Sequence, residues 1–159
     1  MPYDAFLNIE GIQGEATDQN HLGWIEISSF SWGVSNPGSN SAGGGGGSGK
    51  SSFQDLHCES RTSKASPNLM LACAIGKHIG SAVLSVSNPA APTGSVSEFM
   101  KLTLEDCLIS SYQNAGAEQG DDRPLDAFSL NFVKIDFMFT VPTTGEVVES
   151  SFSPTPGTR

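Results

Sequence analysis

Along most of this chain apolar residues alternate with polar ones, at the two-residue period of a β-strand and not the 3.6-residue period of a helix. Ala5, Leu7 and Ile9 alternate with Phe6, Asn8 and Glu10, which predicts a first strand that stops at Gly11-Ile12-Gln13-Gly14. Ile25 and Ile27 then occupy odd positions, whereas Phe30, Trp32 and Val34 occupy even ones. A flat strand from Trp24 to Val34 would turn half of these residues to the wrong face, and a bulge near Ser28-Ser29 restores the register. The same switch separates Phe128, Leu130 and Phe132 from Ile135, Phe137, Phe139 and Val141, and it puts a slip near Val133-Lys134. Met100, Leu102 and Leu104, followed by Cys107 and Ile109, predict a third bent strand. Ala82, Leu84 and Val86 predict a shorter one, and Val147 to Phe152 a last extended segment after a turn at Gly145. Long strands bent at bulges are what curved sheets and barrels require. With Phe30, Trp32 and Val34 turned to the core, Ser29, Ser31 and Gly33 point the opposite way.

One segment departs from this pattern. Pro67 follows Ser66 at a first-turn position that tolerates proline, and Leu69, Met70, Ala72, Cys73 and Ile75 run at helical spacing until Gly76. The spacing predicts a single helix of about three turns, an ordinary globular length. Cys73 falls on its apolar stripe and reads as an inert core thiol. Lys77 and His78 suit its last turn, where cations complement the negative end of the helix dipole.

Length and charge narrow the picture. At 159 residues the chain suits one domain, 1–159, with residues 153–159 as a frayed tail. Its 8 Lys plus Arg against 17 Asp plus Glu give a formal charge of −9, which repels phosphate backbones and anionic lipid. Neither nucleic acid nor a membrane is the expected partner. Cys58, Cys73 and Cys107 form no C-x-x-C pair, which argues against both a disulfide framework and a zinc ribbon. The segment Met1 to Phe6 has neither a basic region nor an apolar one, and no run of eighteen apolar residues occurs. Synthesis in the cytoplasm is therefore expected, with any export using no cleaved signal.

Candidate chemistry is thin. Gly44, Gly49, Lys50 and Ser51 fall on the G-x-x-x-x-G-K-[ST] spacing of a phosphate-binding loop. That motif works only between a buried strand and a helix, where backbone N–H groups and the positive helix end converge on phosphate. Here turn formers at 35–42 precede it, and 51–58 reads as a half-exposed strand. Residues 36–50 are better read as a flexible Gly-rich loop joining two strands, including Asn36, Gly43, Gly44, Gly45, Gly46, Gly47, Gly49 and Lys50. The acidic Asp121-Asp122, Glu105-Asp106 and Asp55 read as solvated surface. His21, His57 and His78 lack metal-ligand spacing. No catalytic, cofactor-binding or metal-ligating residue is assigned. On the residues alone, two alternatives stay open: a nucleotide-binding protein of the P-loop type, and a monomeric β-rich ligand-binding module.

A set of ordered, dispersed motifs carries more. The segment from Phe6 to Glu15, FLNIEGIQGE, then Ser31-Trp32-Gly33-Val34-Ser35, then the glycine run into Phe53-Gln54-Asp55-Leu56-His57, resembles the Hcp tube proteins of bacterial type VI secretion systems. Lys64-Ala65-Ser66-Pro67-Asn68-Leu69-Met70-Leu71-Ala72-Cys73, Gly76-Lys77-His78, Ser110-Ser111-Tyr112 and Ser129-Leu130-Asn131-Phe132 continue the resemblance in the same order, which spans residue 3 to about 140. It implies a mainly β fold, a small closed β-barrel of two curved sheets with one flanking α-helix. It also implies a non-enzymatic subunit of a hexameric ring with a wide channel. Such rings stack into a tube that a contracting sheath drives out of the cell behind a spike, with effector proteins in the lumen. On this reading Ser29, Ser31 and Gly33 face the lumen, residues 36–50 join neighbouring rings, and the product reaches the extracellular space or a target cell without a signal peptide. Two departures stand out: Phe30 where the family commonly has Trp, and a tail from Glu146 to Arg159 without the usual Gly-Trp ending.

Overall fold

A computed structural model describes residues 3–38, 50–117 and 122–153. The described chain is nine strands and one helix: β1 Asp4–Ile9, β2 Ile25–Ile27, β3 Ser29–Ser35, β4 Ser52–Arg61, α1 Ser66–Ile75, β5 Ile79–Ser87, β6 Glu98–Ala115, β7 Leu125–Asn131, β8 Lys134–Thr140 and β9 Val147–Phe152. Every pairing is antiparallel, in the order β2-β1-β5-β6-β7-β4-β3, with β8 added to β6 and β9 to β8.

The bends read from the sequence carry this architecture. β6 pairs β5 and β8 along its first half and β7 along its second. Its inward positions change from Leu102 and Leu104 to Cys107 and Ile109 at Asp106, which holds a φ of 56° that few residues other than glycine adopt. Opposite that bend, β7 gives way to β8 across Phe132-Val133, where the Val133 amide donates to the Glu105 carbonyl at 3.1 Å. The parity switch near Val133-Lys134 is thus the crossing from one sheet to the other. At the other expected slip, β2 ends at Ile27 and β3 begins at Ser29.

The barrel was expected to be closed by strand pairing. Its ladder is open instead, ending at β2 and β3. Those two strands are separated by Ser28 alone, whose amide donates to the Glu59 carbonyl of β4 at 2.8 Å, so the chain itself completes the wall.

Inward rows from both sheets fill the interior: Leu7, Ile9, Ile25, Leu56, Leu84, Leu102, Leu104, Phe128 and Leu130 are all essentially inaccessible to water. Each such aliphatic burial contributes about 2 kcal/mol relative to exposure. Cys58 and Cys107 belong to this core, and burial pushes both thiols up to about 12. At that value neither is a nucleophile near neutral pH.

α1 starts at Ser66 and stops at Gly76, whose left-handed φ of 63° terminates it with amide bonds back to Ala72 and Cys73. Two details differ from the sequence reading. Lys77 and His78 lie beyond the last turn, and His78 Nε2 meets Asp106 at 3.1 Å. Only Ser66, Leu69 and Ala72 are buried, while Met70, Leu71 and Ile75 face outward. A helix that is apolar on every side leaves its period unable to say which face is inward.

Candidate functional site

β3, β4, β7 and the second half of β6 form a four-stranded sheet whose outer face is small and polar. Ladder register aligns Ser31 with His57, Ser129 and Ser111, and the next row aligns Ser29 with Glu59, Ala127 and Gln113. Both rows border a shallow depression of about 390 Å³. The hydroxyls are tied across strands: Ser129 Oγ lies 2.6 Å from Ser111 Oγ and 2.7 Å from Ser110 Oγ, and Ser110 donates to Asp55 at 2.6 Å. Asn131 Nδ2 adds a bond to the same carboxylate at 2.9 Å, and Ser29 Oγ donates to Glu59 at 3.2 Å. Asp55, read from sequence as a solvated acid, is a half-buried anchor of this network. The face is hydrophilic, and its serine hydroxyls at 110, 111 and 129 are partnered within it.

Ser29 and Ser31 stand on this face, exposed. Gly33 does not offer itself in the same way: β4 gains one residue in its register between Ser31 and Gly33, and Gly33 is half-buried beside the Gln54 side chain. The same shift leaves Val34 half exposed, although Phe30 and Trp32 pack on the core. Asn36 is exposed, its Oδ1 accepting the Gly38 amide at 2.9 Å, and Lys50 is exposed just before β4. Gly43, Gly44, Gly45, Gly46, Gly47 and Gly49 lie outside the described residues. Lys50-Ser51 leads directly into the strand β4, so the helix that a phosphate loop needs is not there.

One constellation escaped the sequence reading. His21 is buried, with Nδ1 at 2.7 Å from Asp18 Oδ2 and Nε2 at 2.9 Å from Ser85 Oγ. Its ring stacks on Phe6 at 4.4 Å. The order Asp-His-Ser has the form of a nucleophilic triad, but Ser85 is 0% exposed and its hydroxyl also engages Glu98, so no substrate reaches the oxygen. The chain of bonds fastens the 10–24 segment to the outside of β1 and β5. The Asp18-x-x-His21 spacing was visible, whereas the contact to Ser85 is 64 residues away.

A second missed group is Asp126, 1% exposed, which accepts from Tyr112 Oη and Asn114 Nδ2, both at 2.8 Å, from Thr62 Oγ1 at 3.2 Å, and from Ser66 Oγ. Burial, and after it the Asp126 carboxylate, raises the Tyr112 hydroxyl above its ordinary value. Among the described residues no group of three His, Cys, Asp or Glu side chains converges to hold a metal.

The family model described as type VI secretion system effector, Hcp, matches residues 6–139. The chain belongs to the Hcp family. Protein hcp1 of Pseudomonas aeruginosa is 37% identical over 135 residues, covering 85% of this chain and 82% of that protein. The crystal structure of Hcp1 from Salmonella typhimurium superposes with a TM-score of 0.82 at 30% identity, covering 98% of this chain and 97% of the other. A type VI secretion system effector from Yersinia pestis superposes at 0.75 with 26% identity, covering 94% and 99%. Hcp membership joins the mainly β fold to type VI secretion, and the nucleotide-binding and monomeric-module alternatives gain no support. No helix among the described residues of this Hcp chain is long and apolar enough to cross a membrane.

Proposed function

We propose that this chain is the non-enzymatic tube subunit of a type VI secretion apparatus, closing into hexameric rings that stack and are secreted with effector proteins in the lumen. Family membership supports the role. The observation that carries self-association is the β8–β9 hairpin. β9 is an edge strand exposed along its whole length, and Phe137, Phe139, Val148 and Phe152 are 38 to 56% exposed on it and its neighbour. An apolar edge of this kind is an aggregation hazard unless a partner covers it. A second copy covering it head-to-tail gives a closed ring when the rotation returns on itself.

The small polar face bearing Ser29 and Ser31, with Gly33 at its margin, then lines the channel, where cargo meets hydroxyls and carboxylates. Residues 36–50 reach the adjacent ring. Glycines lose much freedom when ordered, so stacking is weak and reversible. Sheath and spike proteins of the same apparatus are the remaining partners.

Light scattering on the eluted protein tests the ring directly. A mass near six subunits is expected, falling to one subunit in Phe139→Asp with the fold retained by circular dichroism; a wild-type monomer at all concentrations overturns the proposal. Ser31→Gln is expected to leave the ring mass unchanged while co-purified cargo falls, and unaltered cargo removes the lumen assignment.

A further inference from the structure

On the outer face of the β3-β4-β7-β6 sheet, one position carries almost no side chain. The row Ser29–Glu59–Ala127–Gln113 crosses all four strands, and Ala127 sets only a methyl group between two long polar residues. At the ordinary strand spacing, Glu59 and Gln113 stand about 10 Å apart on either side of it. The whole row borders the depression of about 390 Å³, together with Ser31 and His57 of the next row. That volume is room for about a dozen waters, enough for the end of a long side chain but not for a folded segment.

The lining selects one sign of charge. Glu59 is its only carboxylate, and no lysine or arginine joins it. Among the described residues Glu59 has no ion-pair partner, and Arg61, two positions along the same face of β4, is held by Asp122. Ser29 Oγ donates to Glu59 Oε1 at 3.2 Å, which steadies the carboxylate and leaves Oε2 without a described donor. Ser31 Oγ and the Gln113 amide likewise bond no other described residue, whereas the neighbouring hydroxyls of Ser110, Ser111 and Ser129 are tied together. An ammonium group has three donors and no acceptor, and here a carboxylate oxygen, a hydroxyl and an amide oxygen can each accept. An anion would meet the carboxylate head on. An apolar side chain would strip water from these acceptors and give nothing back. The formal charge of −9 on every subunit draws in ligands of the same positive sign.

We infer that this depression receives a basic side chain, a lysine or arginine on the surface of a cargo protein. The inference rests on the proposed channel, where cargo meets this face, and adds the chemistry by which cargo is chosen. Glu59 is exposed, so a single contact is weak and salt screens it. Repeated around a ring, the same contact gains by multivalency and reads spaced positive charges on a folded surface.

Fluorescence anisotropy on the full-length protein tests it, with labelled peptides of glycine and serine that carry at every third position either lysine or glutamine. The lysine peptide is expected to bind about tenfold tighter, the size of one charge-assisted hydrogen bond. Glu59→Gln keeps the side-chain shape and is expected to abolish that preference. Ala127→Leu keeps the charge, fills the floor between Glu59 and Gln113, and is expected to do the same. Glu26→Gln removes an equal charge from an exposed position on β2, outside the depression, and is expected to leave the preference intact. Equal binding of the two peptides to wild type overturns the inference. So does an equal loss in Glu59→Gln and Glu26→Gln, which would mean that overall charge alone attracts the peptide. Light scattering on the same samples separates this from the ring: a lysine preference in a wild-type monomer supports the depression and overturns the ring. A hexamer that binds both peptides alike overturns the depression and leaves the ring standing.

Discussion

The two ends of the barrel are closed by opposite chemistry. At the end where β3 hands over to β4, aromatic rings meet edge to face or stacked: Trp32 with Phe137 at 5.4 Å, Phe53 with Phe152 at 5.6 Å and Phe53 with Phe132 at 5.9 Å. At the end where β4 hands over to α1, four donors from β6, α1 and the connecting chain converge on the Asp126 carboxylate. Apolar contact has little directional preference and tolerates small displacements, and several of these rings remain accessible to a partner. Hydrogen bonds to a buried charge fix both distance and angle. The end suited to meeting a neighbour is built from contacts that survive re-covering. The end that positions the helix is built from contacts that do not.

The largest effect is expected where direction matters. Asp126→Ala strips one acceptor from four donors, three of them on buried or half-buried side chains, and is expected to cost about 3 kcal/mol in urea unfolding. Asp126→Asn keeps the shape but turns an amide toward donors, so it recovers only part of that loss. Tyr112→Phe removes a single donor and is expected to cost about 1 kcal/mol.

At the aromatic end the matching change is milder. Phe53→Leu keeps an apolar side chain against Phe132 and Phe152, and is expected to cost about 1 kcal/mol by the same measurement. Equal losses for Phe53→Leu and Asp126→Ala would erase the contrast between the ends.

Strand positions were legible because burial on one face writes a two-residue period. β9 runs from Val147 to Phe152 as read, and the crossings at Ser28 and near Val133 follow from parity alone. Asp126 was missed although the same period carried its signal, since it shares even parity with Phe128 and Leu130 and therefore points inward. An acid on the core side of a strand signals a buried anchor. Gly33 and Val34 were misplaced because the extra residue that re-aims them lies in β4, on the partner strand. The polar rows Ser31–His57–Ser129–Ser111 depend on the register between strands distant in sequence, which no single strand's pattern contains. The helix's inward face was hidden because all its sides are apolar.

The smallest effect separates the ends by the sign of their pH dependence. At the helix end, the Lys64 amide, and then Arg123, hold the Glu15 carboxyl below its ordinary 4.5. A depressed carboxyl contributes stability that is present above 4.5 and is lost as pH falls through the lowered value. At the hairpin, Glu149 on β9 shares a hydrogen bond with Asp136 of β8, and the proximity of the two acids raises Glu149 above 4.5. A raised carboxyl acts the other way: its contribution is present below 4.5 and is lost as pH climbs through the raised value, where two like charges face each other. Melting temperatures followed from pH 3 to pH 7 distinguish them. Glu15→Gln is expected to melt lower than wild type at pH 7 and to converge with it near pH 3. Glu149→Gln is expected to melt higher at pH 7 and to converge at the same acid limit. Both sites are exposed, so solvent and salt screen them and the shifts shrink as ionic strength rises. Two shifts of the same sign at pH 7 would mean that the hairpin carboxyls do not repel, leaving β9 with no electrostatic cost on its exposed edge.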